Sequence, residues 1–183
     1  ESMENEFEQG ANLVSSSETD SNSAAEDKII QLHNRFIIIQ IKTGMMLIDQ
    51  QRAHERVLFE RYLGQLAQGS GIAQQLIFPE NIDLNPNDSD LLKELLPQLR
   101  CMGFDIDVFG KNAFIVRGMP SEIKNGNALD VIDGIIGNYK LNDTELKLDG
   151  RVNLAYSLSQ KRAVKPGRKM DKLEMQMLID ELF

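Results

Sequence analysis

The hydrophobic pattern of this chain changes period at one residue, Asp49. Before it, Phe36-Ile37-Ile38-Ile39-Gln40-Ile41 is a run rich in β-branched residues, Lys42-Thr43-Gly44 supplies a turn, and Met45-Met46-Leu47-Ile48 is a second apolar run. Together they predict a hairpin with both strands largely buried. After it, Ala53, Val57, Leu58, Tyr62 and Leu66 recur on one broad helical face until Gly69-Ser70-Gly71 stops the helix. A strand therefore runs into a helix at Asp49, and the polar residues that follow are delivered to one place on a rigid scaffold.

The rest of the pattern predicts a second lobe and a set of closing helices. Leu76-Ile77-Phe78 reads as a short strand, and Leu91 to Leu99 as a helix after the start signal Asn85-Pro86-Asn87-Asp88, with Pro97 kinking or ending it. Phe104 to Val108 alternates with period two, Gly110-Lys111-Asn112 supplies a turn, and Ala113 to Val116 returns as the partner strand. Beyond Pro120 the pattern is helical through Ala128 to Tyr139, Leu154 to Val164 and Asp171 to Phe183, where Asp171 and Glu174 have capping-box spacing. Leu173, Met177, Leu178 and Leu182 form an apolar stripe on the last helix that covers either the chain's own sheet or a second subunit. The expected fold class is α/β in the broad sense, α+β in detail.

With 183 residues, 42% of them apolar and 26% charged, the chain is long enough to bury one core or two small ones. A single cysteine, Cys101, excludes an internal disulfide and any zinc site built from several thiolates. No window approaches the roughly 18 apolar residues of a membrane helix, and the acidic start lacks the features of a secretory signal. The expected setting is cytoplasmic. The formal charge of -8 is carried by Glu1, Glu4, Glu6, Glu8, Glu18, Asp20, Glu26 and Asp27, all before the first base, Lys28. The body that follows is formally neutral, and residues 1–27, acidic and rich in serine, read as a disordered linker end.

Chemistry is expected in Asp49-Gln50-Gln51-Arg52-Ala53-His54-Glu55-Arg56-Val57-Leu58-Phe59-Glu60. This stretch resembles the C-terminal domain of the MutL family of DNA mismatch repair proteins. Nuclease forms of that family carry Asp-Gln-His-Ala, two free positions, Glu, four free positions and Glu. Asp49, Gln50, Glu55 and Glu60 match, whereas Gln51 stands for the histidine and Arg52 for the alanine. The motif holds a divalent ion that activates water at a phosphodiester, so Glu55 remains the one weak metal candidate, with Asp49 as an orienting group. An amide at Gln51 is a weak ligand, and a guanidinium at Arg52 opposes a nearby cation. His54 is a poor substitute, because three positions along a helix it points about 60° away. The alternative reading of the cluster is structural, with Asp49 as an N-cap and Arg56–Glu60 as a surface pair.

Ser159-Gln160-Lys161-Arg162-Ala163-Val164-Lys165-Pro166-Gly167 resembles the segment in which nuclease forms place Ala-Cys, and Gln160 occupies the cysteine position. The family's last metal motif, Cys-Pro-His-Gly-Arg-Pro, would lie beyond Phe183. Gly103 to Gly110 and Val116 to Pro120 resemble the family's middle hairpin, and Leu173-Glu174-Met175 with Leu178 its closing helix. The resemblance implies two lobes: 28–70 with 121–183 for dimerisation, and 71–120 as an external regulatory lobe. It also implies a homodimer, with Phe36, Ile38, Leu178 and Leu182 as candidate interface residues.

Gln74-Gln75-Leu76-Ile77-Phe78-Pro79 is similar to the family's motif for the replication sliding clamp, with Gln74, Leu76, Ile77 and Pro79 as contacts; the rival is that Leu76 and Phe78 are core. Lys161, Arg162, Lys165, Arg168 and Lys169, with Lys172, form the one dense basic run. They are candidates for weak, nonspecific DNA contact; alternatively, Lys161, Arg162 and Lys165 complement a helix C-terminus that Pro166-Gly167 terminates. The resemblance further implies a mismatch recognition protein as partner. No cofactor is expected in this segment, ATP and magnesium belonging to an N-terminal ATPase region outside it. The functional expectation is a homodimerisation module without nuclease activity of its own; the alternatives are a nicking endonuclease with a variant site and a generic α/β adaptor.

Overall fold

A computed structural model describes residues 29–121, 123 and 127–183. The proposed linker end, 1–27, lies outside the described residues. Three strands, β1 (Ile30–Leu32), β2 (Phe36–Ile41) and β3 (Gly44–Asp49), form an antiparallel sheet in that order. From β3 the chain passes without a loop into α1 (Gln50–Gln68), then into β4 (Ala73–Asp83), α2 (Pro86–Cys101), β5 (Asp105–Val108) and β6 (Ala113–Pro120). The last three strands make a second antiparallel sheet, order β4-β6-β5. Helices α3 (Ala128–Leu146), α4 (Gly150–Arg162) and α5 (Lys172–Leu182) complete an α+β fold.

In the first sheet, Ile37 lies opposite Ile48 and Ile39 opposite Met46. The two-residue alternation of a strand puts all four on one face. There they pack with Ala53 and Val57 of α1 and Met175 and Leu178 of α5. Only this face is buried. The expectation that both strands are largely buried is corrected by the other face, where Ile30, Met45 and Leu47 are mostly exposed. Strand β1 was not legible, because the turn that returns it to β2 uses His33 and Asn34 at positive φ (52° and 50°) and carries no glycine signal.

The larger core joins the inner face of the second sheet (Ile82, Ile106, Phe114, Val116) to α2 leucines, to Leu58, Tyr62 and Leu66 of α1, and to α3 and α4. This core draws residues from 28–70, 71–120 and 121–183. Helix α1 belongs to both cores, its first half under the first sheet and its second half in the larger core. The chain crosses from α1 to β4 through Gly71, where an added Cβ would lie 2.2 Å from the Met102 carbonyl carbon.

Helix boundaries follow capping chemistry. Asn85 accepts from the Asp88 amide and Pro86 opens α2, whose exposed Pro97 does not end the helix before Cys101. Asp171 and Glu174 form the expected capping box, at 2.7 and 3.1 Å. The apolar stripe of α5 is corrected: Met175 and Leu178 are buried, Ile179 and Leu182 pack beside them, and Leu173 and Met177 are exposed. Leu178 packs in the cluster under the chain's own sheet with Leu182 beside it, while Leu173 and Met177, about 100° round the helix from neighbouring buried positions, face outward.

Candidate functional site

At the strand-to-helix junction, each retained polar residue has a local partner. Asp49 Oδ1 accepts from the amides of Gln51 (3.0 Å) and Arg52 (3.1 Å), capping α1, while Oδ2 lies 3.5 Å from Arg35 Nε. Gln50 is fully buried; its Nε2 donates to the Arg168 carbonyl (3.0 Å) and its Oε1 accepts from Gln31 (2.6 Å). It therefore ties the helix start to the segment between α4 and α5. Glu60 is exposed and paired with Arg56, as the surface-pair reading expects.

Glu55, the candidate metal ligand, is buried in α1, and Arg52 Nη1 stands 3.2 Å from its carboxylate. A second partner is Tyr156 of α4: burial, above all, raises the pKa of its hydroxyl, followed by the negative field of Glu55 and the hydrogen bond between them. Gln160, where nuclease forms have cysteine, accepts from Asn142 Nδ2 at 3.1 Å, and Asn142 also donates to Ser157 at 3.0 Å. These residues do not fit a divalent metal. Glu55 already faces a fixed cation, Asp49 is committed to the cap, Gln51 and Gln160 are amides, and no three His, Cys, Asp or Glu side chains converge among the described residues. His54 points away from Glu55's partners: its Nδ1 accepts the Val164 amide at 3.0 Å. Burial, then Arg61, lower its pKa below 6.5, with Glu181 opposing and Arg168 and Arg162 contributing. Pairing of Glu55 with Arg52 and Tyr156 was not anticipated; the i,i+3 spacing of Arg52 and Glu55 was the available signal.

The outer face of the first sheet is a different kind of site. Ile30, Ile38 and Leu47 are cross-strand partners in one row, with Leu32 and Phe36 on one side and Met45 on the other. Phe36 and Ile38 are half-buried here, the Arg35 guanidinium lying 5.0 Å from the Phe36 ring centre. Ile30, Leu32, Met45 and Leu47 complete an apolar surface that no other described element covers. Leu178 and Leu182 lie beneath the sheet and do not reach it.

A third site interrupts β4. Gln75 pairs with Gly118 and Glu80 with Val116, so five steps along β4 match two along β6. Residues 76–79 must therefore project as a loop. Leu76 packs against the larger core, whereas Ile77 is 90% and Phe78 81% exposed, and Gln74 and Pro79 are exposed too. A cavity of about 590 Å³ lies beside the loop, lined by Gln74, Leu76, Ile77, Met119, Pro120 and Ile123. Phe78 was passed over because it stands at a free position of the motif. Of the two sequence alternatives, core holds for Leu76 alone.

The basic run is divided by its packing. Lys161 and Arg162 sit half-buried in the last turn of α4, and the stem of Lys161 lies over Gly134 of α3. Arg168 pairs with Glu174, while Lys165 and Lys169 are exposed. Among the described residues no helix is long and apolar enough to cross a membrane.

Comparison with known proteins agrees with this architecture. The sequence model of the MutL C terminal dimerisation domain matches residues 29–170. The DNA mismatch repair protein MutL of Chlorobaculum parvum is 44% identical over 158 residues, covering 86% of this chain and 25% of that protein. MutL of Chlorobium phaeovibrioides is 40% identical over 161 residues (88% and 26%), and MutL of Chlorobaculum tepidum 43% over 158 (86% and 25%). The chain thus spans about a quarter of the length of these relatives. The match to the family model runs through both sheets and α1 to α4, and the chain belongs to the family of MutL C-terminal dimerisation domains.

Proposed function

We propose that this chain holds two MutL subunits together through the outer face of its first sheet, offers the 74–79 loop to the replication sliding clamp, and does not itself cut DNA. The observation that carries the reading is the Ile30-Ile38-Leu47 row, with Leu32, Phe36 and Met45 around it. An exposed apolar patch of this kind on a folded sheet favours association, and a second copy of the same face covers it about a two-fold axis. Of the interface candidates, Phe36 and Ile38 belong to this surface, whereas Leu178 and Leu182 support it from below.

Exposure of Ile77 and Phe78 supports the clamp contact, because a peptide of this class inserts apolar side chains into a groove while its glutamine bonds at the rim. That contact gives the 71–120 segment its regulatory role. The Arg52–Glu55 pair supports the non-nuclease reading over a nicking endonuclease with a variant site. Exposed Lys165 and Lys169 are suited only to weak, salt-sensitive DNA contact. In the whole protein, cytoplasmic in this reading, a separate N-terminal ATPase region carrying ATP and magnesium closes around DNA, and a mismatch recognition protein engages the assembly.

Sedimentation over a range of concentrations tests the central step. The expected species is a dimer of about twice the 20.7 kDa chain mass; a monomer at every concentration would remove dimerisation and favour a generic adaptor. Manganese titration by calorimetry, with a nicking assay on supercoiled plasmid, tests the nuclease alternative. Metal-dependent nicking that is lost with Glu55→Ala would establish it.

A further inference from the structure

We infer that Glu80 is the positioning residue that holds the 76–79 loop in its projecting shape, by tying the loop's downstream end to the N-terminus of α3; this rests on the reading of that loop as a binding element. The loop exposes two large apolar side chains, Ile77 and Phe78, and a free segment of that composition gains by folding them back onto the protein. Keeping them outward requires both ends to be fixed.

The upstream end is fixed twice, by Leu76 in the larger core and by Gln75 Nε2, which donates to Asp105 Oδ2 of β5 at 3.1 Å. The downstream end depends on Glu80, the first residue of β4 to regain its register, opposite Val116. Its Oε2 accepts from the Ala128 amide at 2.8 Å, across 48 positions of sequence. Ala128 is the first residue of α3, and Asn127 caps the next amide, that of Leu129, at 2.7 Å. The Glu80 carboxylate thus fills a second of the four amide positions a helix start leaves open, where the helix field favours an anion. Helix α3 is a firm anchor, since Ala128, Val131, Ile132 and Ile135 are all buried in the larger core. A loop whose exposed shape is fixed before binding has little ordering left to do, so affinity scales with the fraction of molecules in that shape.

The test compares the full chain with Glu80→Ala, Glu80→Gln and Ile77→Ser. Binding to purified sliding clamp is read by surface plasmon resonance, and hydrogen exchange at the Ile77 and Phe78 amides is read without clamp. Glu80→Ala is expected to weaken clamp binding about three- to tenfold by lowering the binding-competent fraction, and to speed exchange by a similar factor. Glu80→Gln keeps an acceptor oxygen and is expected to stay within about twofold of the parent on both readouts. Ile77→Ser should abolish clamp binding while leaving the Phe78 exchange rate within about twofold, since the anchors remain. If Glu80→Ala matches the parent on both readouts while Ile77→Ser loses clamp, the positioning role falls and the binding reading stands. If Glu80→Gln is as impaired as Glu80→Ala, the acceptor account is overturned. If Ile77→Ser still binds, the clamp reading falls, and exchange alone decides whether Glu80 holds the loop.

Discussion

The two sheets of this domain have three antiparallel strands each, yet treat their outer faces in opposite ways. Across the first sheet the middle row is Ile30-Ile38-Leu47; across the second it is Asn81-Ile115-Asp107. Asp107 is held by Arg100 and Arg117, so the second face is closed by ion pairs, and one half-buried isoleucine among them needs no partner. The first face is apolar across its middle row, with Asp49 opposite Phe36 and Gln40 opposite Met45 toward its ends. A sheet with one polar face is stable alone, whereas a sheet with two apolar faces has a second layer still to acquire. The second sheet instead presents apolar side chains at its edge, through the loop that interrupts β4. In the proposed reading, one module offers a broad face for a lasting contact and a small projecting loop for a transient one.

The strongest way to break this contrast is to place charge on both faces. Ile38→Asp with Leu47→Asp should abolish dimerisation, a loss of more than about 4 kcal/mol or roughly a thousandfold, because two carboxylates would be desolvated at the centre of an apolar contact. Sedimentation should then give 20.7 kDa with unchanged circular dichroism. Ile115→Asp on the second sheet should leave the mass of the parent. A dimer lost through Ile115 and kept through Ile38 would reverse the assignment.

Leu178→Ala sharpens the contrast from beneath. Leu178 is 5% exposed under the first sheet, so its truncation should destabilise folding by about 2–5 kcal/mol through a cavity, seen in urea unfolding at fixed protein concentration. At temperatures where the variant is folded, the dimer should persist. Sequence periodicity placed Leu178 correctly on an apolar stripe but left its partner open, since a helix that covers its own sheet and one that meets a second subunit have the same spacing. Other elements were legible where local chemistry specifies them: Asp49, Asn85 and the Asp171–Glu174 box all cap helices. Strand β1 and the three-residue excess in β4 were not, because a turn at His33-Asn34 lacks glycine and a register jump depends on the partner strand. The departures from the family motif at Gln51 and Gln160 were legible; the contact of Arg52 with Glu55 needed coordinates.

Two ion pairs on one helix differ in burial. Arg52 is paired with a buried carboxylate and Arg56 with an exposed one. Arg52→Ala should destabilise the chain by about 1–2 kcal/mol, less than a fully buried pair because Arg52 is itself 72% exposed. Arg56→Ala should stay within about 0.5 kcal/mol, as screened surface pairs do. Thermal unfolding in low salt reads both. Equal effects would mean that Glu55 is solvated in solution and that Arg52 does not stand in for a metal.

The smallest effect is a pH slope from His54, which lies on α1 beside the segment joining α4 to α5. Its ring accepts the Val164 amide and is buried, and Arg61, Arg168 and Arg162 act on it against the carboxylate of Glu181. Its folded pKa is therefore below the ordinary 6.5. As pH falls through 6.5 the unfolded chain takes up a proton that the folded chain refuses, so this contribution to stability is present above 6.5 and declines below it toward the folded pKa. Protonation of Nδ1 would also break the Val164 hydrogen bond, loosening the start of the segment that joins α4 to α5. Hydrogen exchange at Val164 should accelerate between pH 6.5 and 5, after correction for intrinsic exchange, whereas Phe114 in the second sheet should not follow. His54→Gln, which keeps a neutral acceptor, should flatten the Val164 response; a response that survives the substitution would assign the slope to another group.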